Sequence, residues 1–490
     1  MERASSTPSS EGRSKPELSS PAKGLFGFAV LCLVWALYLY LWIETPANTV
    51  SPFIYGLLAT VAAIAFGVAR TGSRSIQINV LIATFSILFS LFGAEWTLSI
   101  LDRRNPSPRS KIDQALIDSL EQPFDRRSQI EVIDDYRSEG IDAWPAYFPG
   151  YVQEPIYPLS GIAKVTTVYA NENGTFMSYK SDEFGFNNPS NSHQVGLDIA
   201  FIGDSFTHGC CVSEGMDVAS RLRSSNLRTV NLGMGESGPL EEWAILREFG
   251  LPLKPKTVFW LYYEENDLAD LQREMTSPLL SRYRDVHFTQ QLRLKQALVD
   301  DTIKAYVSDI LLARRMAVAA MRNRQDKTSS KKTTKTPLSE SLRPRDPWGE
   351  VLTQRLLLRS LSHRLRVLAH RRKPDPMLSE FVTILENAKT AVANEGGELI
   401  FVYLPEWSRF AYNQQANLRF RRKGEVLHKV RSLSIPTLDF TTILSNQENP
   451  LEYFPFEKYG HYTQEGYGLL AEQIERFLKK SDSSEKKLSL

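Results

Sequence analysis

The chain has 490 residues, more than one ordinary domain needs, and its 42% hydrophobic and 23% charged residues are typical of a folded protein. A formal net charge of only +2 gives no reason to expect nucleic acid as a partner. The three cysteines, Cys32, Cys210 and Cys211, are too few for a disulfide framework and lack the spacing of metal ligands. We expect the adjacent pair to be small packing residues rather than a bridge.

The N-terminal part of the sequence changes character abruptly. Residues 1–23 are rich in Ser, Pro and charge, which predicts a disordered tail. Three apolar stretches follow, each close to the roughly 20 residues that a membrane-spanning helix needs. They predict a three-helix membrane anchor over residues 24–101, with spans at 24–43, 53–69 and 76–94.

The distribution of Lys and Arg predicts the orientation of this anchor in the lipid bilayer. Basic residues precede the first span, whereas residues 44–52 after it contain none. The positive-inside rule then places the tail in the cytoplasm and the rest of the chain on the periplasmic side. Arg103, Arg104, Arg109 and Lys111 favour the opposite orientation.

The next segment links the anchor to the main domain. Residues 102–145 are charged with scattered apolar positions, which predicts a juxtamembrane helical stalk. Residues 144–181 are rich in Pro, Tyr, Thr and Val and predict a few short antiparallel strands.

A buried strand at 199–202 ends abruptly at Gly203-Asp204-Ser205. In α/β sheets, ligands bind beyond the carboxyl ends of parallel strands, where a following helix also directs its N-terminal amides. Ser205 therefore lies where a nucleophile is expected.

The strand at 229–232 runs into Gly233-Met234-Gly235-Glu236-Ser237-Gly238, which matches the dinucleotide-binding spacing G-x-G-x-x-G. We set that function aside because the next helix is predicted to begin only at Pro239, a residue favoured at the first helical position. The same turn can instead present a main-chain amide to an oxyanion, and Gly235 is the candidate donor.

A third strand, at 257–262, is followed by Glu265-Asn266-Asp267. Asn266 offers a neutral side-chain donor at the same sheet edge. The alternative is that Asn266-Asp267 only caps the next helix.

Residues 272–375 predict a helical insertion. Its part at 325–350 has the composition of a flexible linker, and its part at 351–373 predicts a basic amphipathic helix without acidic residues. That helix is interpreted as a lid or side helix, with binding to anionic lipid as the alternative.

The α/β pattern then resumes with strands at 399–403 and 436–440 and a final helix at 465–479, before a disordered tail at 481–490. His461 precedes the final helix, on a loop from which a base can reach the sheet edge. A lone histidine there is more often a cap or a surface residue.

Taken in order, these motifs resemble the conserved blocks of the SGNH (GDSL-type) hydrolases. Gly203-Asp204-Ser205-Phe206-Thr207 resembles the first block, Asn231-Leu232-Gly233 the second, Glu265-Asn266-Asp267 the third and Gly460-His461 the last. Asp182 to Phe186 resembles the lead-in of membrane-tethered bacterial members, although Asn187 stands where they commonly have Arg.

The resemblance implies an SGNH-type, flavodoxin-like, three-layer parallel sheet domain over residues 146–480. It implies Ser205 as the nucleophile, His461 as the general base, and the amides of Ser205 and Gly235 with the Asn266 side chain as oxyanion donors. No metal or organic cofactor is implied.

The sequence departs from the family pattern where the acid partner of the histidine is expected. The usual Asp-x-x-His spacing falls on Lys458, which cannot accept a hydrogen bond from an imidazole N–H. Glu457 is the predicted acid. Asp439 and a dyad oriented by a backbone carbonyl are the alternatives.

The function implied is cleavage of acyl esters, acetyl esters in particular, on an extracytoplasmic substrate such as a polysaccharide. Transfer of the acyl group to a polysaccharide hydroxyl is one alternative, and a non-catalytic SGNH-like module that binds glycan is another. The lipase-type G-x-S-x-G motif is missing from the sequence, which argues against an ordinary α/β-hydrolase.

Overall fold

The computed structural model describes residues 20–38, 52–83, 124–329, 376–411, 420 and 422–488, together with single positions 86, 89, 90, 93 and 97. The chain divides into two compact units. One consists of Met1–Ser107 and Pro337–Arg372, and the other of Pro108–Thr336 and Lys373–Leu490. The basic helix expected at 351–373 and residues 1–19 of the predicted tail fall outside the described residues. Residues 20–23, which were expected to belong to the disordered tail at 1–23, are helical.

Two helices, α1 (Ser20–Tyr38) and α2 (Pro52–Thr71), pack together in the first unit, and residues 74–83 are also helical. In the described parts of the chain, no helix is both long enough and apolar enough to cross a membrane. The prediction of three spans is therefore not supported, although 39–43 and most positions of the third span after 83 lie outside the described residues.

A small three-stranded sheet begins the described part of the second unit. Helix α3 (Gln129–Ser138) precedes β1 (Ala143–Pro145), β2 (Thr166–Val168) and β3 (Ser178–Lys180). Strands β1 and β2 are parallel and β2 and β3 antiparallel, so the expected antiparallel arrangement holds for one pair only. Because Val132 and Ile133 of α3 are buried against Ala143 and Val168, this part of the predicted stalk belongs to the folded unit.

The main sheet has five strands, and every neighbouring pair is parallel. This confirms the prediction of an α/β domain with a parallel sheet. The strands are β4 (Ile199–Gly203), β5 (Thr229–Asn231), β6 (Thr257–Tyr263), β7 (Glu398–Leu404) and β8 (Thr437–Asp439). Their order across the sheet is β5-β4-β6-β7-β8.

The strands are apolar almost throughout because helices cover both faces of the sheet. Ala200 and Ile202 of β4 belong to the core on one face, whereas Ile199 and Phe201 belong to the core on the other. This alternation follows the two-residue period of a strand.

The helices of this unit that follow β4 in the chain are α4 (Ser205–His208), α5 (Val218–Ser224), α6 (Pro239–Ile245), α7 (Asp267–Glu274), α8 (Gln296–Ser329), α9 (Pro376–Asn394), α10 (Ser408–Ala411), α11 (Arg422–Ser432), α12 (Phe440–Ser445) and α13 (Gln464–Leu488). Helices α6, α9 and α11 pack on one face of the sheet, and α5, α12 and α13 on the other.

Two segments differ from the simplest expectation. The beginning of the predicted insertion contributes Leu280, Tyr283 and Leu292 to the core of the sheet, so it is an integral part of the fold. Helix α13 continues to Leu488 and includes most of the residues 481–490 that were expected to be disordered.

Candidate active site

The carboxyl end of β4 turns sharply into α4, and this turn presents Ser205. Gly203 has a φ of 152°, and a side chain there would collide with the Thr207 hydroxyl and the Leu261 carbonyl. The Asp204 carboxylate then accepts a hydrogen bond from the Phe206 amide at 2.9 Å. Only glycine fits the turn, and Asp204 fixes the start of the helix that carries Ser205.

His461 reaches Ser205 from the loop before α13. The distance between His461 Nε2 and Ser205 Oγ is 2.6 Å. The imidazole also lies against the Phe206 ring, with centroids 4.6 Å apart. The structure therefore brings together the two residues that the sequence assigns as nucleophile and base, although they are 256 positions apart.

Glu172, in the loop between β2 and β3, holds the other side of the imidazole. Its Oε2 atom lies 2.9 Å from His461 Nδ1 and accepts a second hydrogen bond, also 2.9 Å long, from the His461 main-chain amide. Tyr459 OH donates to the Glu172 carbonyl at 3.0 Å, which ties the two loops together. Ser205, His461 and Glu172 thus form a continuous hydrogen-bonded chain of the Ser-His-acid type.

The two carboxylates considered as the acid partner lie elsewhere. Glu457 is exposed and accepts a hydrogen bond from Asn449 Nδ2 at 3.1 Å. Asp439 caps α12 through the Thr441 amide and forms an ion pair with Lys423 at 2.7 Å. The placement of Glu457 beside His461 is therefore corrected to Glu172, and a dyad oriented only by a backbone carbonyl is not what the geometry contains.

Sequence reasoning missed Glu172 because it precedes the first SGNH-like block and lies 289 positions from His461. Its immediate surroundings, Asn171-Glu172-Asn173-Gly174, have the composition of a turn. That composition indicates a loop with one acidic residue, but it does not indicate which part of the molecule the loop contacts.

The charges of Glu172 and His461 favour the ionised form of each other. Burial lowers the pKa of His461, but the charge and hydrogen bond of Glu172 outweigh it, so the pKa lies above its ordinary value of 6.5. Burial raises the pKa of Glu172, but the charge and hydrogen bonds of His461 lower it further than burial raises it. The site is therefore suited to stabilise the imidazolium that forms when His461 takes a proton from Ser205.

His208, the other histidine near this edge, has different surroundings. Burial, together with the nearby charge of His461, lowers the pKa of His208 to about 3, so its ring stays neutral. Its Nε2 atom lies 2.9 Å from the Tyr179 hydroxyl. His208 is consequently a buried packing residue and does not compete with His461 as a base.

The sequence predicts the main-chain amides of Ser205 and Gly235 as oxyanion donors. Within the described ranges, neither the Ser205 nor the Gly235 amide donates a hydrogen bond to another protein atom. Gly235 lies directly against the Tyr169 hydroxyl and the Phe148 ring, which leave no space for a Cβ atom. Neither amide is therefore used by another group among the described residues, and their role as oxyanion donors stays a prediction.

The Asn266 side chain is partly engaged. Asn266 occupies the N-cap position of α7 without making the capping bond, and its Nδ2 atom donates to Asp270 at 2.8 Å. The Asn266 side chain also hydrogen-bonds the Asp204 carboxylate and thereby contributes to lowering the pKa of Asp204, against the larger effect of burial, which raises it. Both N–H groups therefore face carboxylates, and the role of Asn266 as an oxyanion donor stays a prediction. Helix capping by the Asn266 side chain, the alternative weighed for the sequence, does not occur here.

The residue before Asn266 adds charge to the site. Glu265 accepts a hydrogen bond from the Tyr263 hydroxyl at 3.2 Å, and its charge contributes to raising the pKa of His461. This negative charge lies next in sequence to the side chain predicted as an oxyanion donor.

The glycine-rich turn at 233–238 differs from a dinucleotide site in two respects. Helix α6 begins at Pro239, with Gly238 at its N-cap, as predicted. The amides of Gly238 and Leu240, which would receive a pyrophosphate, donate to the Glu274 carboxylate, the second at 2.9 Å. A buried carboxylate already occupies the position of the anion.

The side chains of Asn187 and Asn231 donate hydrogen bonds to main-chain carbonyls within the protein. Asn187 is buried and donates to the His208 carbonyl at 3.0 Å, so it does not face a substrate. Asn231 donates to the Thr207 carbonyl at 2.8 Å and accepts from the Gly233 amide at 2.9 Å. Asn231 thereby fixes the second block against the helix that begins at Ser205.

Cys210 and Cys211 form a disulfide between sequence neighbours just after α4. This corrects the expectation that the pair only fills space. Both residues are buried, and Cys211 has a φ of 90°.

No protein-family model matches the chain, and no curated protein sequence matches it either. Solved structures that resemble it include one described as a lipolytic protein of the G-D-S-L family from Desulfitobacterium hafniense DCB-2, with 15% identity and a TM-score of 0.30 over 57% of this chain and 99% of that chain. A two-domain esterase active on acetylated mannans has 13% identity and a TM-score of 0.29, over 59% of this chain and 50% of that chain. A third structure, described as an acylhydrolase from Bacteroides fragilis NCTC 9343, has 13% identity and a TM-score of 0.28, over 61% of this chain and 92% of that chain. TM-scores this low do not indicate a function.

Proposed function

We propose that the protein is a serine esterase that cleaves acyl esters. The observation that carries this proposal is the hydrogen-bonded chain from Ser205 through His461 to Glu172. A serine hydroxyl becomes an effective nucleophile when an adjacent base takes its proton, and the base acts best when a third group orients it.

The reaction follows from the positions of these groups. Ser205 Oγ attacks the ester carbonyl, and His461 Nε2 takes the serine proton and returns it to the leaving alcohol. The amides of Ser205 and Gly235 donate to the oxygen that becomes negative, and Asn266 Nδ2 adds a donor when one N–H turns to that oxygen from its carboxylate partner. A water molecule deprotonated by His461 then attacks the acyl-enzyme and releases the acid.

The acyl group that fits best is short, such as acetyl. The Tyr169 hydroxyl and the Phe148 ring close off the space around Gly235, and Tyr179 and His208 line the same region. These aromatic groups, of which only Phe148 is not fully buried, leave little space for a long chain beside Gly235.

A fluorophosphonate probe and a series of p-nitrophenyl esters test this function directly. We expect labelling of Ser205, faster turnover of the acetyl ester than of the octanoyl ester, and loss of both in Ser205→Ala with the fold retained. An unlabelled but folded protein would favour a non-catalytic binding module instead.

The same residues could pass the acyl group to a sugar hydroxyl, and the acyl-enzyme is common to both reactions. Adding a polysaccharide acceptor to the acetyl ester assay distinguishes them, because transfer leaves acetyl on the sugar. A polysaccharide substrate, association with a lipid bilayer and an extracytoplasmic location stay predictions from the sequence. Alkaline phosphatase fused after Leu490 should be active if the location is correct and inactive if it is not.

A further inference from the structure

Four side chains of the kinds that bind metal ions meet beside the catalytic histidine. They are Glu172, Cys210, Cys211 and His461, and one ligand atom from each lies within 4.8 Å of the ligand atoms of the other three. They come from three separate segments of the chain, so their proximity is a product of the fold.

Hydrogen bonds to the main-chain atoms of Cys210 and Cys211 hold the pair in this position. The Cys210 amide donates to the Ser205 carbonyl at 2.9 Å, and Tyr467 OH donates to the Cys210 carbonyl at 3.3 Å. Asn173 Nδ2 donates to the Cys211 carbonyl at 2.6 Å, which links the pair to the neighbour of Glu172. These contacts involve main-chain carbonyls and an amide, so they can persist whatever the oxidation state of the sulfurs.

The backbone at Cys211 is also unusual. Its φ of 90° lies in a region that residues with a side chain rarely adopt. Such conformations persist where the surrounding structure enforces them, and they are concentrated at functional sites.

We propose that reduction of the Cys210–Cys211 disulfide creates a zinc-binding site formed by the two cysteines with Glu172 and His461. The bond between the sulfurs accepts two electrons from a dithiol reductant, and each sulfur takes up one proton while the reductant becomes a disulfide. Zinc then displaces the two thiol protons and binds two thiolates, one imidazole nitrogen and one carboxylate oxygen. Cysteine, histidine and carboxylate ligands in a four-coordinate arrangement are what Zn²⁺ prefers.

Zinc at this position inhibits the reaction, since it uses the imidazole and the carboxylate that activate Ser205. This consequence depends on the proposed esterase function, whereas zinc binding itself does not. The oxidised protein is then the active form, and the reduced, zinc-bound protein the inactive one.

The binding test uses the full-length protein before and after treatment with dithiothreitol, which is removed under anaerobic conditions. Thiol titration in denaturant should find one thiol before reduction, that of Cys32, and three afterwards, because Cys210 and Cys211 are paired. Equilibrium dialysis should then find about one Zn²⁺ per reduced chain and none per oxidised chain. Cobalt substituted for zinc should give the near-ultraviolet charge-transfer band that bound thiolate produces.

Cys32, which lies outside the proposed site, provides the matched control for Cys211. Cys211→Ser should weaken zinc binding by at least about 10-fold, the lower end of the effect of losing even an outer-shell partner. Cys32→Ser should leave the affinity unchanged. Glu172→Ala keeps both cysteines and should also weaken binding, so it provides a second test if Cys211→Ser fails to fold.

The Ser205→Ala variant separates this proposal from the proposed function. It should lack esterase activity yet bind zinc after reduction as the parent does. If the reduced parent binds no zinc, or if Cys211→Ser and Glu172→Ala both bind it as tightly as the parent, the zinc site is wrong whatever the enzyme activity. If the reduced parent binds zinc and its ester turnover is undiminished, the inhibitory role is wrong.

Discussion

One carboxylate oxygen of Glu172 accepts hydrogen bonds from both the ring and the main chain of His461. Oε2 lies 2.9 Å from Nδ1 and 2.9 Å from the amide nitrogen. The two bonds fix the imidazole relative to its own backbone, and they place the hydrogen on Nδ1, so that Nε2 is free to accept the proton of Ser205. Glu172 therefore determines both the tautomer and the orientation of the base.

Replacing this carboxylate by an amide should reduce the rate strongly. In Glu172→Gln the side chain keeps its size but carries no charge and can present N–H to the imidazole, which favours the wrong tautomer. We expect kcat for p-nitrophenyl acetate to fall by about 10²- to 10⁴-fold. Labelling of Ser205 by a fluorophosphonate should become slower but should not disappear.

Glu457→Gln is the matched control, because Glu457 is exposed and contacts Asn449 instead of His461. It should turn over the ester as the parent does. The assignment would be contradicted if folded Glu457→Gln had a reduced kcat while Glu172→Gln had a normal one. Glu457 would then be the acid partner.

The dependence of kcat/KM on pH should report the environment of His461. The base acts only when neutral, and its pKa is raised above 6.5, so activity should rise with pH through a midpoint above 6.5. In Glu172→Gln the charge that raises the pKa is lost while burial, which lowers it, remains. The midpoint should therefore move to lower pH.

Stopped-flow or steady-state rates between pH 5 and 9 would measure this shift, with residual activity of Glu172→Gln followed at high enzyme concentration. An unchanged midpoint in the variant would mean that Glu172 does not face the ionising group. A midpoint that moves upward would contradict the sign derived from the ion pair.

The sequence indicates two members of the candidate site, Ser205 and His461, but not the third, Glu172. Ser205 and His461 each stand beside a pattern that local sequence reveals, a buried strand for the first and the final helix for the second. Glu172 stands in an irregular loop, and its contact with His461 depends on how the small sheet docks on the large one. Nothing in local periodicity determines that docking.

The proximity of the cysteine pair to Glu172 and His461 could not be predicted from the sequence either. Cys210 and Cys211 have no metal-ligand spacing in the sequence, because the other two ligand-type residues come from segments far away in the chain. The apolar strands, by contrast, were predictable to within a few residues, since a strand covered on both faces must be apolar along its length.

Asn266 provides a further test of the oxyanion site. If an N–H of Asn266 turns from its carboxylate partner and stabilises the developing charge, Asn266→Ala should lower kcat by about 10²- to 10³-fold with little change in KM. Asn394→Ala, which removes an exposed asparagine at the end of α9, should have no effect on either constant. If kcat falls only slightly in Asn266→Ala, Asn266 is not an oxyanion donor. The proposed donors are then the Ser205 and Gly235 amides alone.

A buried ion pair between Glu264 and Arg409 stabilises the loop that carries Asn266. The Glu264 side chain is only 2% exposed, and its carboxylate accepts hydrogen bonds from Arg409 Nε at 2.8 Å, Tyr403 OH at 2.7 Å and the Glu406 amide at 2.9 Å. Removing one partner of a buried ion pair leaves the other charge uncompensated, which costs about 3–5 kcal/mol. Arg409→Met should therefore lower the free energy of unfolding of the sheet domain by about that amount, as measured by urea denaturation with tryptophan fluorescence.

The exposed pair of Arg476 and Glu472 supplies the control, because both side chains are more than half exposed. Arg476→Met should leave the free energy of unfolding almost unchanged, since exposed pairs contribute little. The double variant Arg409→Met with Glu264→Gln removes both charges and should recover part of the lost stability. If Arg409→Met unfolds at the same urea concentration as Arg476→Met, the ion pair does not hold this loop in place. In that case the position of Asn266 depends on the contact of α7 with the sheet instead.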